Sequence, residues 1–300
     1  MENMLTLIAG TGDARVDNSM VAVACEVLLD AGGRTGREVW LAEGRACDVP
    51  FAGLDPRAAD AAARAALDGY PVDVVAQPAE GRRKRLLVAD MESTIIDNEM
   101  IDEMAAAFGQ GERIAAITAR SMRGELDFTE SLNERVAMLA GLDEATVTRL
   151  CGNIRLNPGA VTLVATMRAH GAWCALVSGG FTVYSAKVAA LVGFDSHQAN
   201  RLEIVDERLT GRVMKPVLDR HAKQAALLRL LDEQGLAARD AMAVGDGAND
   251  LSMILAAGLG VAYYGKPILA AAAAMRVEHG DLTALLFAQG YRAEEFVGAD

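Results

Sequence analysis

Three residues that could do chemistry each stand at the end of a short apolar run of this 300-residue sequence. Asp90 and Ser178 directly follow such runs, and Asp246 stands one glycine beyond a third. In an open α/β sheet the ligand crevice lies at the carboxyl ends of the strands, so residues that are distant in sequence can meet there. Each position alone is more typical of a helix N-cap. Together the three predict a single site.

The segment that begins at Asp90 combines two acids with two hydroxyls. A carboxylate at a strand end can attack phosphorus and form an aspartyl phosphate, which divides a difficult hydrolysis into two easier steps. Glu92, two residues on, can protonate the leaving oxygen and then activate water for the second step. Ser93 and Thr94 offer donors for phosphate oxygens. The segment therefore indicates phosphoryl transfer to Asp90.

Two further features could hold the phosphoryl group. The Ser-Gly-Gly segment 178–180 offers a hydroxyl and backbone without side chains at a strand end, although Ser-Gly-Gly is also an ordinary turn. Lys223 lies on a predicted helix after Pro216, and it could keep the phosphoryl group in line with the nucleophile. The alternative for Lys223 is a solvated position on the helix surface.

The segment 245–250, Gly-Asp-Gly-Ala-Asn-Asp, is typical of a site for a hard cation. Asp246, Asn249 and Asp250 bring short oxygen-bearing side chains together, as Mg²⁺ and Ca²⁺ prefer. The segment lacks the alternating acids and the final Glu of an EF-hand loop. Mg²⁺ held by few carboxylates, with phosphate and water completing its shell, is the better interpretation. The alternative is a capped turn into the next helix.

A parallel sheet is needed to position these groups, and the pattern after residue 85 predicts one. Apolar runs at 86–89, 172–177, 241–244 and 260–263 alternate with helical patterns. This alternation is typical of an α/β fold with a Rossmann-like parallel sheet and helices on both faces. The mostly helical insert Glu99–Asn153 predicts a cap inserted after the first core strand.

The sequence before this sheet has a different texture. Residues 1–80 predict a small α+β module, and residues 81–300 the catalytic domain. Residues 78–81, Pro-Ala-Glu-Gly, indicate a linker. The basic run 82–85 is typical of a solvated entry to the next strand, with a phosphate-attracting patch as the alternative.

Charge and composition narrow the classes of function. A net charge of −12 argues against a nucleic-acid partner, whereas a small anionic substrate stays open because a bound cation reverses the local sign. The N-terminus lacks the pattern of a signal peptide, and the most apolar later stretch, Met253–Tyr264, is too short to span a membrane. The cysteines and histidines are scattered, which argues against a disulfide scaffold or structural zinc. We expect a cytoplasmic protein without a membrane partner that acts on a small phosphomonoester.

In this order the motifs resemble those of the haloacid dehalogenase-like superfamily, and within it the phosphoserine phosphatase family. The resemblance rests on Asp90-x-Glu92-Ser93-Thr94, Lys223 and the two long motifs 177–182 and 244–252, and it extends over roughly residues 84–290. It implies hydrolysis of O-phosphoserine, the last step of serine biosynthesis, with Mg²⁺ as cofactor. It also suggests a homodimer, and it likens residues 1–80 to a regulatory ACT-like module.

The resemblance also implies a role for each matching residue. Asp90 would be the nucleophile and a Mg²⁺ ligand together with Asp246, and Glu92 would give the metal its carbonyl and supply acid–base catalysis. Ser178 and Lys223 would grip the phosphoryl group. In the cap, Glu99 would bind the substrate ammonium and Arg135 the substrate carboxylate, which is the complement that phosphoserine needs. The remaining substrate-binding residues would be Met122, Phe128, Gly179 and Asn249.

One residue departs from the family pattern. The second acid is usually Asp, whereas here it is Glu92, so the acid–base group lies one methylene further out. A displacement of about 1 Å can cost ~100-fold in rate when nothing compensates for it. A phosphoserine:homoserine phosphotransferase of the same superfamily carries Glu at this place, so phosphotransfer is the alternative function. A third possibility is a non-catalytic serine sensor, although it predicts losses at other catalytic positions that this sequence does not show.

Overall fold

The N-terminal module consists of an antiparallel sheet with two helices. The computed structural model describes residues 1–123, 125–218 and 220–298, without the side chains at positions 122 and 220. Within the module the elements are β1 (Asn3–Ala9), α1 (Asn18–Asp30), β2 (Arg34–Thr35), β3 (Val39–Ala42), β4 (Ala46–Ala52), α2 (Pro56–Ala66) and β5 (Val72–Pro78). The strand order is β2-β4-β1-β5, with β3 also paired to β4. The order of elements is βαβββαβ, and because β2 and β3 both pair with β4 it corresponds to the βαββαβ order of ferredoxin-like folds with one strand interrupted.

Both faces of this sheet are buried. Alternate residues of a strand point to opposite faces, and here the two sets lie in two different cores. Leu5 and Leu7 of β1 pack with Leu28 of α1 in the module's own core. Ile8 of β1 and Val75 of β5 belong instead to the core that continues into the rest of the chain. The sheet therefore lies between its own helices and the larger domain.

The larger domain is built on a parallel sheet with the strand order β13-β12-β11-β6-β7-β8. In chain order its elements are β6 (Leu86–Ala89), α3 (Met100–Ala107), α4 (Gly111–Met122), α5 (Phe128–Ala137), α6 (Glu144–Arg149), α7 (Ala160–Ala169), β7 (Trp173–Phe181), α8 (Thr182–Val192), β8 (Ser196–Asn200), β9 (Leu202–Val205), β10 (Arg208–Val213), α9 (Arg220–Glu233), β11 (Ala241–Gly245), α10 (Leu251–Ala256), β12 (Leu259–Tyr263), α11 (Pro267–Ala272), β13 (Met275–Val277) and α12 (Ala284–Ala288). All four predicted core strands are present.

The central strand β6 explains where a site can form. It pairs in parallel with β7 on one side and β11 on the other. Leu87 and Ala89 face one apolar core and Leu86 and Val88 the other, so helices cover both faces. Because the chain proceeds to β7 on one side and later returns to β11 on the other, a crevice opens at the carboxyl ends of these strands. The predicted α/β fold class is confirmed.

The helical insert is present as α3–α6, but a hairpin that the sequence analysis missed packs against it. Strands β9 and β10 pair in antiparallel fashion and contact α5. The N–H of Gly141 donates to the carbonyl of Leu209 at 2.8 Å, and the N–H of Leu209 donates to Leu142 at 2.9 Å. Gly211, at φ +83°, approaches Ala140 so closely that a Cβ there would lie 2.9 Å from the alanine methyl. The hairpin strands are short, and charged residues interrupt their apolar ones, so no continuous apolar run predicted them.

The basic run 82–85 is solvated at Arg83 and Arg85, as the sequence predicts, but not at Arg82 and Lys84. Arg82 forms a buried ion pair with Asp48 of the module at 2.5 Å. Lys84 is buried as well, and its ammonium donates to the carbonyls of Gly81 and Arg239, each at 2.9 Å. Arg82 therefore joins the module to the larger domain, whereas Lys84 holds the start of the larger domain to the residues before β11. Among the described helices, none has the length and apolar character that a membrane-spanning segment needs.

Candidate active site

The nucleophile candidate Asp90 lies at the carboxyl end of β6, the central strand. Its N–H donates to the carbonyl of Val244 on the neighbouring β11 at 3.0 Å, and only 4% of the residue is exposed. The ammonium of Lys223, which α9 brings to the same point, lies 2.7 Å from Asp90 Oδ1 and 2.5 Å from Asp250 Oδ1. The sequence placed Asp90 and Lys223 in one site, and the structure brings them into direct contact.

Charge explains why three buried ionisable groups coexist here. Burial and the neighbouring carboxylate of Asp250 raise the pKa of Asp90 to about 7, while Lys223 acts in the opposite direction. Burial alone would lower the pKa of Lys223, but the charges of Asp250 and Asp90 outweigh it and hold the pKa above its usual value. The lysine therefore stays protonated and compensates the two acids.

Asp250 shapes the loop after β11. Its Oδ2 accepts the N–H groups of Asp246 at 3.2 Å and Gly247 at 3.1 Å, while its Oδ1 accepts Lys223. Asp250 is fully buried, and Gly245 leaves room for it because a Cβ at residue 245 would collide with its carboxylate. Both oxygens of Asp250 are thus engaged within the protein.

Three carboxylates could hold a metal ion at this point. Oxygens of Asp90, Asp246 and Asp250 lie within 4.8 Å of one another. Because both Asp250 oxygens already have partners, Asp90 and Asp246 are the better ligand candidates. Two carboxylates with room for other oxygens suit a hard divalent cation. The donor set therefore fits the metal that the sequence predicts.

Glu92 reaches a backbone group that holds its longer side chain. Its Oε1 accepts the N–H of Met100, the first residue of α3, at 2.8 Å. Its Oε2 lies beside Gly180, where an added Cβ would approach it to 2.8 Å. Burial and the nearby charge of Glu99 raise the pKa of Glu92 to about 8. The extra methylene is thus accommodated between the start of α3 and a glycine.

The Ser-Gly-Gly segment ends β7 beside these acids. Ser178 is buried, and its Oγ accepts the N–H of Gly180 at 2.9 Å. Asn200, at the end of β8, donates to the carbonyl of Gly179 at 2.8 Å and accepts the N–H of Leu218 at 2.7 Å. Asn200 therefore connects the Ser-Gly-Gly segment to the loop that leads into α9.

A cavity of about 670 Å³ lies between the core and the cap, within the range of small-molecule sites. Asp90, Glu92 and Asp246 line it from the core, and Phe128 and Arg135 line it from the cap. The Phe128 ring lies against Gly179, because a Cβ at residue 179 would come within 2.9 Å of it. The predicted substrate-binding residues Glu99, Gly179 and Asn249 line the same cavity. The side chain of Met122 lies outside the described part of the chain.

The two charged cap candidates differ in their partners. Glu99 Oε1 accepts the hydroxyl of Ser93 at 2.8 Å, and burial raises its pKa. Arg135 donates through Nε to the carbonyl of Ser131 at 3.2 Å. No carboxylate of the described residues forms an ion pair with Arg135, although Asp102 lies near enough to oppose the pKa decrease that burial causes. The guanidinium of Arg135 therefore lines the cavity with acids nearby but without a direct ion pair among the described residues.

Lys266 also lines the cavity, and the sequence analysis missed it. Its ammonium lies 3.1 Å from Asp246 Oδ2, and its N–H donates to the Asp246 carbonyl at 2.8 Å. The signal was available, because Lys266 follows the fourth predicted strand, 260–263, just as the other candidates follow theirs.

Comparisons with known proteins agree with this geometry. A family model described as haloacid dehalogenase-like hydrolase matches residues 87–255. The chain is 40% identical over 299 residues to the phosphoserine phosphatase of Streptomyces coelicolor, covering 98% of this chain and 73% of that protein. A probable phosphoserine phosphatase from Vibrio cholerae, solved without ligand, superposes with a TM-score of 0.79 at 30% identity, covering 98% of this chain and 88% of that one. A phosphoserine phosphatase solved as a phospho-aspartyl intermediate analogue superposes with a TM-score of 0.64 at 38% identity, covering 68% of this chain and 98% of that one.

Proposed function

The chain belongs to the haloacid dehalogenase-like hydrolase family, and we propose that it hydrolyses O-phosphoserine to serine and phosphate through a phosphoryl group carried on Asp90. The observation that carries the proposal is the contact of Asp90 with Lys223 at 2.7 Å, at the floor of a cavity whose cap side presents Arg135. The relatives named above share the phosphatase name. This favours hydrolysis over transfer to homoserine.

Asp90 is the proposed nucleophile because the described residues hold only one of its carboxylate oxygens. Lys223 engages Oδ1, which leaves Oδ2 for attack on phosphorus. As the ester bond breaks, charge builds up on the phosphoryl oxygens and the leaving oxygen. Lys223, buried and protonated, lies where it can stabilise that charge without reorganisation. Ser178 supplies a hydroxyl at the neighbouring strand end for one of the phosphoryl oxygens.

Glu92 is the proposed acid and base. Oε1 is occupied by the N–H of Met100, so the transferable proton belongs on Oε2, the oxygen beside Gly180. A pKa raised to about 8 keeps this carboxyl protonated near neutral pH, as a donor to the leaving serine oxygen requires. The resulting carboxylate can then take a proton from the water that attacks the aspartyl phosphate.

Mg²⁺ is the proposed cofactor, held by Asp90, Asp246 and the backbone carbonyl of Glu92. When bound, the ion would neutralise phosphate charge and polarise the reacting phosphoryl group. We expect a chelator to abolish activity and added Mg²⁺ to restore it. Activity that survives exhaustive chelation would contradict this assignment.

The cap is proposed to select phosphoserine over other phosphomonoesters. Arg135 can form two hydrogen bonds with the substrate carboxylate, and Glu99 can pair with the ammonium. Phe128 covers the Ser-Gly-Gly segment from the cap side. Met122 and Asn249 complete the proposed substrate-binding set.

The organisation of the chain is also a proposal. We propose that residues 1–80 form an ACT-like regulatory module and that residues 81–300 form the catalytic domain. The cap of this domain would be about residues 99–153. A homodimer and a cytoplasmic location stay predictions.

A phosphate-release assay tests the proposed function. O-Phosphoserine and Mg²⁺ are supplied with and without homoserine, and Asp90→Asn serves as the inactive control. We expect free phosphate at the same rate with and without the acceptor. Phosphate transfer that requires homoserine, with phosphohomoserine as product, would establish the transferase instead.

A further inference from the structure

A buried carboxylate of the N-terminal module holds a turn of the larger domain. Asp73 on β5 is fully buried, and it accepts the N–H groups of Glu278 at 2.8 Å, His279 at 3.2 Å and Gly280 at 2.8 Å. Three backbone donors directed at one carboxylate form a specific anchor. The turn after β13 therefore takes its position from the module.

A second contact holds the same turn from its other side. The N–H of Thr11, at the end of β1, donates to the carbonyl of His279 at 2.8 Å. Gly10 lies so close that an added Cβ would be 3.0 Å from both the side chain and the carbonyl of His279. The module thus binds both the donors and an acceptor of this turn.

The segment 277–280 also holds Tyr264, whose backbone conformation is strained. Tyr264 has φ +44°, a left-handed backbone conformation that is unfavourable for a residue with a side chain. Its N–H donates to the carbonyl of Val277 at 2.8 Å, and its hydroxyl donates to the carbonyl of Gly280 at 3.1 Å. Strained residues persist only where their surroundings hold them. The left-handed conformation of Tyr264 therefore depends on these two hydrogen bonds.

Tyr264 lies two residues before Lys266, which contacts Asp246 twice. The backbone N–H of Lys266 fixes the carbonyl of Asp246 at 2.8 Å, and its ammonium engages Oδ2 at 3.1 Å. The chain of contacts therefore runs from Asp73 through Gly280 and Tyr264 to Lys266 and Asp246.

We infer that the N-terminal module positions the Asp246 loop through Asp73, so that residues 1–80 set the affinity of the catalytic metal site. The inference rests on the proposed function, because it takes Asp246 as a metal ligand. Asp73 and Tyr264 are positioning residues that act through Lys266. Partners that touch a metal ligand directly change metal affinity by about 10- to 100-fold when removed. Asp73 lies further away, and we expect a smaller effect.

The test measures Mn²⁺ binding to the full-length, metal-free chain by isothermal titration calorimetry. The variants are Asp73→Asn and Tyr264→Phe, and Asp48→Asn is the matched control. Asp48 is also a buried carboxylate of the module, and it also bonds across to the larger domain, through Arg82. Among the described residues its carboxylate bonds to Thr6 and Arg82 and not to the 277–280 turn. Tyr264 is 53% exposed, so we expect Tyr264→Phe to fold. This variant therefore tests the inference even if Asp73→Asn fails to fold.

We expect the Mn²⁺ dissociation constant to rise about threefold to tenfold in Asp73→Asn and about twofold to fivefold in Tyr264→Phe, and to stay at the wild-type value in Asp48→Asn. The double variant should show less than the product of the two single effects, because both act through one path. Tyr264→Phe and Asp73→Asn binding Mn²⁺ as tightly as Asp48→Asn would overturn the inference. The variant Asp246→Asn distinguishes failure of this inference from failure of the proposed metal site. If it leaves Mn²⁺ binding intact, the metal assignment itself fails.

Discussion

Arg135→Met offers the sharpest test of substrate selection. The substitution removes the guanidinium while keeping an unbranched side chain about as long as the aliphatic part of arginine. Five N–H donors belong to an arginine side chain, and within the described part of the chain only Nε of Arg135 has a hydrogen-bond partner, the carbonyl of Ser131 at 3.2 Å. The other donors are available for a carboxylate in the cavity that Arg135 lines.

The size of the effect follows from those free donors. A hydrogen bond to a charged group contributes about 1.5–3 kcal/mol, and a bidentate pair makes two. Water recovers part of the loss in the variant, so we expect a net cost of about 3–4 kcal/mol. Since about 1.4 kcal/mol corresponds to a factor of ten, kcat/KM for O-phosphoserine should fall roughly 100- to 1000-fold.

The assay compares O-phosphoserine with O-phosphoethanolamine, which has the same phosphate and ammonium but no carboxylate. For the second substrate Arg135→Met should change kcat/KM less than about threefold, because the removed contact does not exist. Arg120→Met is the matched control. Arg120 is another cap arginine, 41% exposed by side chain and paired with Glu134 at 2.7 Å. Equal losses on the two substrates would refute the carboxylate role of Arg135, and so would an Arg120→Met variant that loses as much.

Three further perturbations test the reacting groups. Asp90→Asn should abolish phosphate release while leaving the thermal unfolding midpoint near or above the wild-type value; residual turnover above about 1% would contradict the covalent route. Lys223→Met leaves the buried acids Asp90 and Asp250 without their cation, so the free energy of unfolding should fall by about 3–5 kcal/mol. Urea unfolding in the presence of a chelator measures this change, and an unchanged unfolding midpoint would show that the ion pairs of Lys223 do not stabilise the fold. Glu92→Asp gives up the hydrogen bond to the Met100 N–H, and kcat should fall about 100-fold in steady-state assays; full activity would mean that the cavity does not depend on the longer acid.

Much of the fold was predictable from local pattern. The apolar runs that became β6, β7, β11 and β12 are short and continuous, as is typical of parallel strands buried on both faces. The two sheet edges and the β9–β10 hairpin were not predicted. The edge strand β8 (Ser196–Asn200) is polar, the edge strand β13 (Met275–Val277) has only three residues, and charged residues interrupt the apolar ones of Leu202–Val213. Residues 1–80 were recognised as α+β, but nothing in their local pattern indicates how both faces of the sheet come to be buried.

The candidate site divides in the same way. The order of acids, hydroxyl and lysine along the chain was enough to propose phosphoryl transfer, since strand ends in a parallel sheet share one edge and the residue types limit the chemistry. Which oxygen of Asp90 is held by Lys223, and which partners hold Glu92, depended on packing between elements distant in sequence. Asp73 shows the limit most clearly. In the sequence it is one acid within an apolar strand, and only the folded chain brings Glu278, His279 and Gly280 to it, because backbone donors carry no signature in the amino-acid sequence.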